Sequence, residues 1–88
     1  MDTKTLLDGL NFAKEYHLSP MEISALIPFF EKPRNTKELA EILDRNKVTV
    51  HHLIQRLRLK GVLVLKEVDS NGTYLFEFNN DTQERLGL

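Results

Sequence analysis

Five cations, Arg45, Lys47, Arg56, Arg58 and Lys60, stand in the stretch 45–60, which contains no aspartate or glutamate. Ammonium and guanidinium groups at this density suit phosphate binding, because each can neutralise one backbone charge and release its counterion. Among them lie His51, His52 and Gln55, whose ring and amide groups can hydrogen-bond the edges of bases. The charge is local. Residues 1–44 hold five basic against eight acidic residues, and residues 61–88 hold two against five, so the whole chain carries −1. Charge alone fits a solvated helix better than a binding site, and the neighbouring elements are what shift the balance.

Other chemistry has little to work with. Catalysis needs a nucleophile and a base oriented by a third group, and no spacing here supplies them, so no catalytic residue is expected. The chain has no cysteine, hence no disulfide framework and no thiolate metal site. His51 and His52 are neighbours, about 100° apart on a helix, and cannot readily share one ion. No metal and no cofactor are expected. His17 reads as a partly buried helix residue at the edge of the core.

The elements that must position the basic stretch are legible around it. Val50, Leu53, Ile54 and Leu57 recur at i, i+3, i+4 and i+7, one face of a helix over 47–60. Asn35-Thr36-Lys37-Glu38 reads as a capping box that opens a helix over 36–43, with Leu39, Ile42 and Leu43 as its apolar face and Ala40 permitting a close crossing. Asp44 is one of the few residues that tolerates a left-handed turn, and Asn46 can cap the basic helix. Two short helices joined by a tight turn, with cations on the second, make a helix-turn-helix. Lys60-Gly61 supplies a glycine C-cap. Val62–Val68 and Thr73–Phe78 have strand composition around the turn signal Asp69-Ser70-Asn71-Gly72, with Tyr74, Phe76 and Phe78 on one face at period 2.

This arrangement resembles the winged helix-turn-helix regulators of the MarR type. The resemblance covers residues 18–78 and rests on Leu18-Ser19-Pro20, Glu38-Leu39-Ala40, Leu43, Lys47, Thr49-Val50, Leu53, Arg56-Leu57, Lys60-Gly61 and Val62. It implies an α+β winged helix-turn-helix: a three-helix core, a preceding N-terminal helix and a C-terminal β-hairpin wing. It also implies a sequence-specific double-stranded DNA-binding transcription regulator with its recognition helix in the major groove. The expected DNA-binding residues are Asn46, Lys47, Val48, Thr49, His51, His52, Gln55, Arg56, Arg58 and, on the wing, Lys66. The family's Asp-x-Arg at the wing tip is matched by Asp69-Ser70-Asn71, without the arginine, and its long C-terminal dimerisation helices have no counterpart in residues 79–88. The alternative reading is a winged helix used for protein–protein contact, as in an anti-repressor or assembly subunit.

The whole chain, 1–88, reads as one domain, with helices over 3–17, 20–31, 36–43 and 47–60, a wing over 62–78 and a polar tail over 79–88 that ends in a frayed turn or short helix. Ser19-Pro20-Met21-Glu22 is a second capping box with proline at the first helical position; it directs Ile23, Leu26, Ile27 and Phe30 inward, while Pro28 should kink or loosen the helix late. Glu31-Lys32-Pro33-Arg34 reads as a connection. No apolar run is long enough to span a bilayer, and the N-terminus lacks a signal-peptide pattern, so a cytoplasmic location is expected. In the first helix Leu6, Leu10, Ala13 and His17 form a stripe, flanked by Leu7 on one side and Phe12 and Tyr16 on the other. An apolar arc of about 240° exceeds what one core can cover. A homodimer through Leu7, Phe12 and Tyr16 is therefore expected.

Overall fold

A computed structural model describes residues 3–88. Its elements run α1 (Thr3–Glu15), α2 (Pro20–Leu26), a 3₁₀ turn (Ile27–Phe30), β1 (Arg34–Asn35), α3 (Thr36–Leu43), α4 (Lys47–Leu59), β2 (Leu63–Val68), β3 (Tyr74–Phe78) and α5 (Asn80–Arg85). Leu6, named in the stripe of the first helix, has its side chain outside the described residues.

Local sequence chemistry sets most of the boundaries. The Ser19 hydroxyl accepts from the Glu22 N–H at 3.2 Å, while the Glu22 carboxylate accepts from the Ser19 N–H at 3.0 Å. Asn35 and Glu38 form the same reciprocal pair at 2.8 and 3.3 Å, so both helices start with two orphan donors satisfied. Asn46 accepts from the Thr49 N–H at 2.8 Å and opens α4. α1, α3, α4 and α5 all close alike, with a left-handed residue after the last turn: His17 (φ 54°), Asp44 (53°), Gly61 (80°) and Gly87 (74°). In each case the next N–H reaches back five residues, for example from Leu18 to the Ala13 carbonyl at 3.0 Å and from Val62 to Leu57 at 2.9 Å.

Several expectations are corrected. α1 stops at Glu15 rather than at residue 17, and His17 is exposed in a left-handed conformation instead of part-buried on a helix. α2 ends at Leu26 rather than at 31, because Pro28 has no N–H to donate and the chain tightens into a 3₁₀ turn. That change of pitch redirects the side chains that follow Leu26; Ile23, on regular α2 before it, faces outward on its own account. Leu26 and Phe29 are buried, but Ile23, Ile27 and Phe30 are exposed. Ile42 of α3 is exposed too, while Leu39 and Ala40 are buried. The connection before α3 contains strand β1, in which Arg34 pairs with Phe76 and Asn35 with Leu75. Arg34 is itself buried, held by the Pro28 carbonyl at 3.1 Å and the Glu31 carboxylate at 3.0 Å.

The sheet is antiparallel in the order β1-β3-β2. Leu63 pairs with Phe78 and Leu65 with Phe76, then the register shifts so that Glu67 faces Leu75. Lys66 is the extra residue of this bulge, which bends the wing. Phe76 and Phe78 turn onto the core with Leu39, Val50, Leu53, Ile54, Leu57, Val62 and Leu63, whereas Tyr74, beyond the bulge, is exposed. α5 folds the tail back. Leu86 and Thr82 are buried, Arg85 lies 5.4 Å over the Tyr16 ring, and Tyr16 stacks on Phe12 at 4.5 Å. No helix among the described residues is long and apolar enough to cross a membrane.

Candidate nucleic-acid interface

α4 is a two-sided helix. Val50, Leu53, Ile54 and Leu57 are buried completely and carry it on the core. At about 100° per residue, the direction facing away from them is the line Val48, His52, Gln55, Leu59, with Arg56 to one side of it; Arg45 is exposed in the turn before the helix. Val48, His51, His52, Arg56, Arg58 and Leu59 are exposed and Gln55 is half-buried. Thr49 is half-buried, its N–H taken by the Asn46 cap. Val48, His52, Gln55 and Leu59 therefore share the outer side of α4, with Lys47, His51 and Arg58 toward one flank and Arg56 toward the other, while Asn46 and Thr49 serve the helix start. The His51 and His52 rings lie 6.0 Å apart, edge to face. Among the described residues there is no group of three His, Asp or Glu that could hold a metal.

The electrostatics differ from the sequence reading at one cation. The Lys60 ammonium lies 2.9 Å from both carboxylate oxygens of Glu22 and 3.0 Å from the His17 carbonyl. It is therefore not one of the groups free to meet phosphate, as had been expected. Burial of Glu22 opposes its charged form, yet Lys60 and the backbone and hydroxyl of Ser19 outweigh this and hold the carboxyl below its ordinary value. Arg45, Lys47, Arg56 and Arg58 remain, with no ion pair among the described residues. Arg58 lies 5.5 Å over the Phe76 ring, which ties its guanidinium to the wing.

The wing adds one exposed cation, Lys66, at the bulge. Asp69 is occupied locally, since its carboxylate accepts from the Asn71 N–H at 2.8 Å and the Thr73 N–H at 2.9 Å and so closes the turn. Sequence reading had missed Leu59, which is 88% exposed and borders a groove with Gln55, Arg58 and Leu63–Leu65. Its place on the outer line of α4 was the available signal.

A second surface lies on the first two helices, and it is not the one expected. Phe12 is only 5% exposed, covered by Leu86 and Tyr16, so it is a core residue and not an interface residue. Tyr16 is half-buried and engaged with Arg85. Leu7 does stay exposed, at 53%, and is joined by Leu10 at 50% and by Ile23, Ile27 and Phe30. Leu10, Ala13, Leu18, Ile23, Ile27 and Phe30 line an open apolar groove of about 200 Å³, floored by Phe12, Leu26 and Leu86.

No family model and no curated protein sequence matches this chain. Solved structures do match it. It resembles a MarR-like transcriptional regulator from Thermotoga maritima, with TM-score 0.70, 22% identity, and 99% and 72% of the two chains covered. It is similar to the transcriptional repressor CouR bound to a 23-mer DNA duplex, with TM-score 0.70, 18% identity, and 96% and 61% of the two chains covered. It is also similar to a homodimeric winged helix-turn-helix DNA-binding domain from Mycobacterium bovis, with TM-score 0.70, 16% identity, and 99% and 81% covered. The chain spans less than two thirds of the length of several of the solved structures it matches. In fold it is an α+β winged helix-turn-helix domain of the kind that MarR-like transcriptional regulators carry.

Proposed function

We propose that this chain is a sequence-specific double-stranded DNA-binding transcription regulator that works as a homodimer. The observation that carries the reading is α4 and the turn before it, where Val48, His51, His52 and Gln55 stand among four cations, Arg45, Lys47, Arg56 and Arg58, that make no ion pair among the described residues, in a stretch without acidic residues. In this role α4 enters the major groove, Lys47, Arg56 and Arg58 meet phosphates, and His52 and Gln55 reach base edges. Lys66 is the wing's phosphate contact. The matched repressor bound to a DNA duplex supports the same use of the fold.

The dimer is proposed through Leu7, Leu10, Ile23, Ile27 and Phe30, in place of Phe12 and Tyr16. These side chains leave an apolar face open to water, and a second copy of the chain is its occupant in this reading. A single small module buries only about 600–1,000 Å² on DNA, and paired half-sites are the usual remedy. The homodimeric relative supports it.

Fluorescence anisotropy with labelled random and genomic duplexes tests the function. Binding that weakens steeply with salt is expected. The competing reading, a protein-contact module, is favoured by the exposed Leu59 and its groove beside Val64 and Leu65; absence of duplex binding at low ionic strength would overturn the first reading and shift weight to this one.

A further inference from the structure

Val48 is the second residue of α4 and 67% exposed, two residues and so about 200° from the buried Val50. It lies outside the hydrophobic core. Its neighbours on the surface are Lys47, His51 and His52, all exposed. A branched hydrocarbon among cationic and imidazole groups adds nothing to phosphate attraction, and a β-branched residue slightly weakens an exposed helical turn. Its position is informative, because the N-terminal part of a recognition helix is the part that meets base edges. Of the four bases in B-DNA, only thymine presents a methyl group in the major groove.

We propose that Val48 is a specificity-determining residue that packs against the C5-methyl of a thymine, so that the preferred ligands are duplexes with thymine at one fixed position of each half-site. The inference rests on the DNA-binding reading and deepens it. His52 lies one turn further along the same outer line, roughly 6 Å up the axis, so polar readout by His52 and apolar readout by Val48 address neighbouring positions. Leu59, the other exposed aliphatic residue of this line, lies roughly 16 Å from Val48 along the axis, beside the wing groove, and takes no part.

The test begins with duplexes selected from a random library by the full chain. Each thymine is then replaced singly by deoxyuridine, which removes the methyl and keeps every hydrogen-bonding group. Contact with one methyl is expected to make a single position per half-site sensitive, with a loss of roughly 3- to 10-fold. Val48→Ala, which loses two methyl groups and keeps only the Cβ, should narrow the gap between the thymine and uracil duplexes while keeping the salt dependence of the parent chain. Because Val48 is exposed, the variant should melt like the parent. Uracil tolerated at every position, or a loss undiminished in Val48→Ala, overturns the proposal and leaves DNA binding standing. No duplex binding at low salt removes both.

Discussion

Lys60 and Glu22, 38 residues apart in sequence, form an ion pair with both carboxylate oxygens 2.9 Å from the ammonium. Glu22 is only 3% exposed and caps α2, whereas Lys60 caps the end of α4. The same ammonium also donates to the His17 carbonyl at 3.0 Å. The joint between the first two helices is thus fastened to the far end of the proposed recognition helix.

Breaking this pair should cost stability and not DNA contacts. Lys60→Met leaves the buried Glu22 carboxylate without its counter-charge and with only the Ser19 N–H as donor, and a loss on the order of 2 kcal/mol is expected, less than for a fully enclosed pair because the lysine still touches water. Denaturant unfolding measures it. The salt dependence of duplex binding should be unchanged, which distinguishes Lys60 from Lys47.

The pair also sets a response to acid. The Glu22 carboxyl titrates lower in the folded chain than its ordinary value of 4.5. Its stabilisation is therefore fully present above about pH 4.5 and is lost as pH falls below it. Glu22→Gln lacks this contribution. Melting temperatures of the two proteins should be far apart at pH 7 and converge as the solution is acidified below pH 4.5; a constant gap would contradict the assignment.

For the outer surface of α4, Lys47→Ala and Arg56→Ala should each weaken duplex binding and flatten the log–log salt slope by about 0.9 per lost phosphate contact. His52→Ala and Gln55→Ala should relax sequence preference at particular base pairs by about 1–3 kcal/mol. Lys14→Ala, on α1, should do neither. Anisotropy titrations at several salt concentrations separate these outcomes.

On the opposite question of assembly, Ile27→Glu and Leu10→Glu are expected to give folded monomers with weakened operator binding. Phe12→Glu should instead unfold the chain, since it places a charge in the core beneath Leu86. Sedimentation and circular dichroism together score all three. A parent chain that stays monomeric at high micromolar concentration would contradict the dimer.

Much of the architecture was legible because it is written in short-range chemistry. The capping pairs Ser19/Glu22 and Asn35/Glu38, the left-handed Asp44 and Gly61, and the four-residue apolar face of α4 each need only neighbouring residues to be recognised. What escaped depends on partners far along the chain. β1 is two residues long and exists only through Phe76 and Leu75. Phe12 looked like surplus apolar area until Leu86 and Tyr16 covered it, and Lys60 looked like a free cation until Glu22 claimed it. The outer surface of α4 followed from helical spacing, but that spacing does not say which of its cations are already paired.

The bulge at Lys66 has a consequence for how the molecule behaves in concentrated solution. With the order β1-β3-β2, the outer side of β2 is an open strand edge, and Val64, Leu65 and Val68 along it are exposed. A flat edge of that composition would be a template for strands from other copies to stack on, leading toward aggregates. The extra residue twists the strand at mid-length and puts a lysine there, with Glu67 next to it. The kink and the two charges at this rim of the sheet thus work against such stacking.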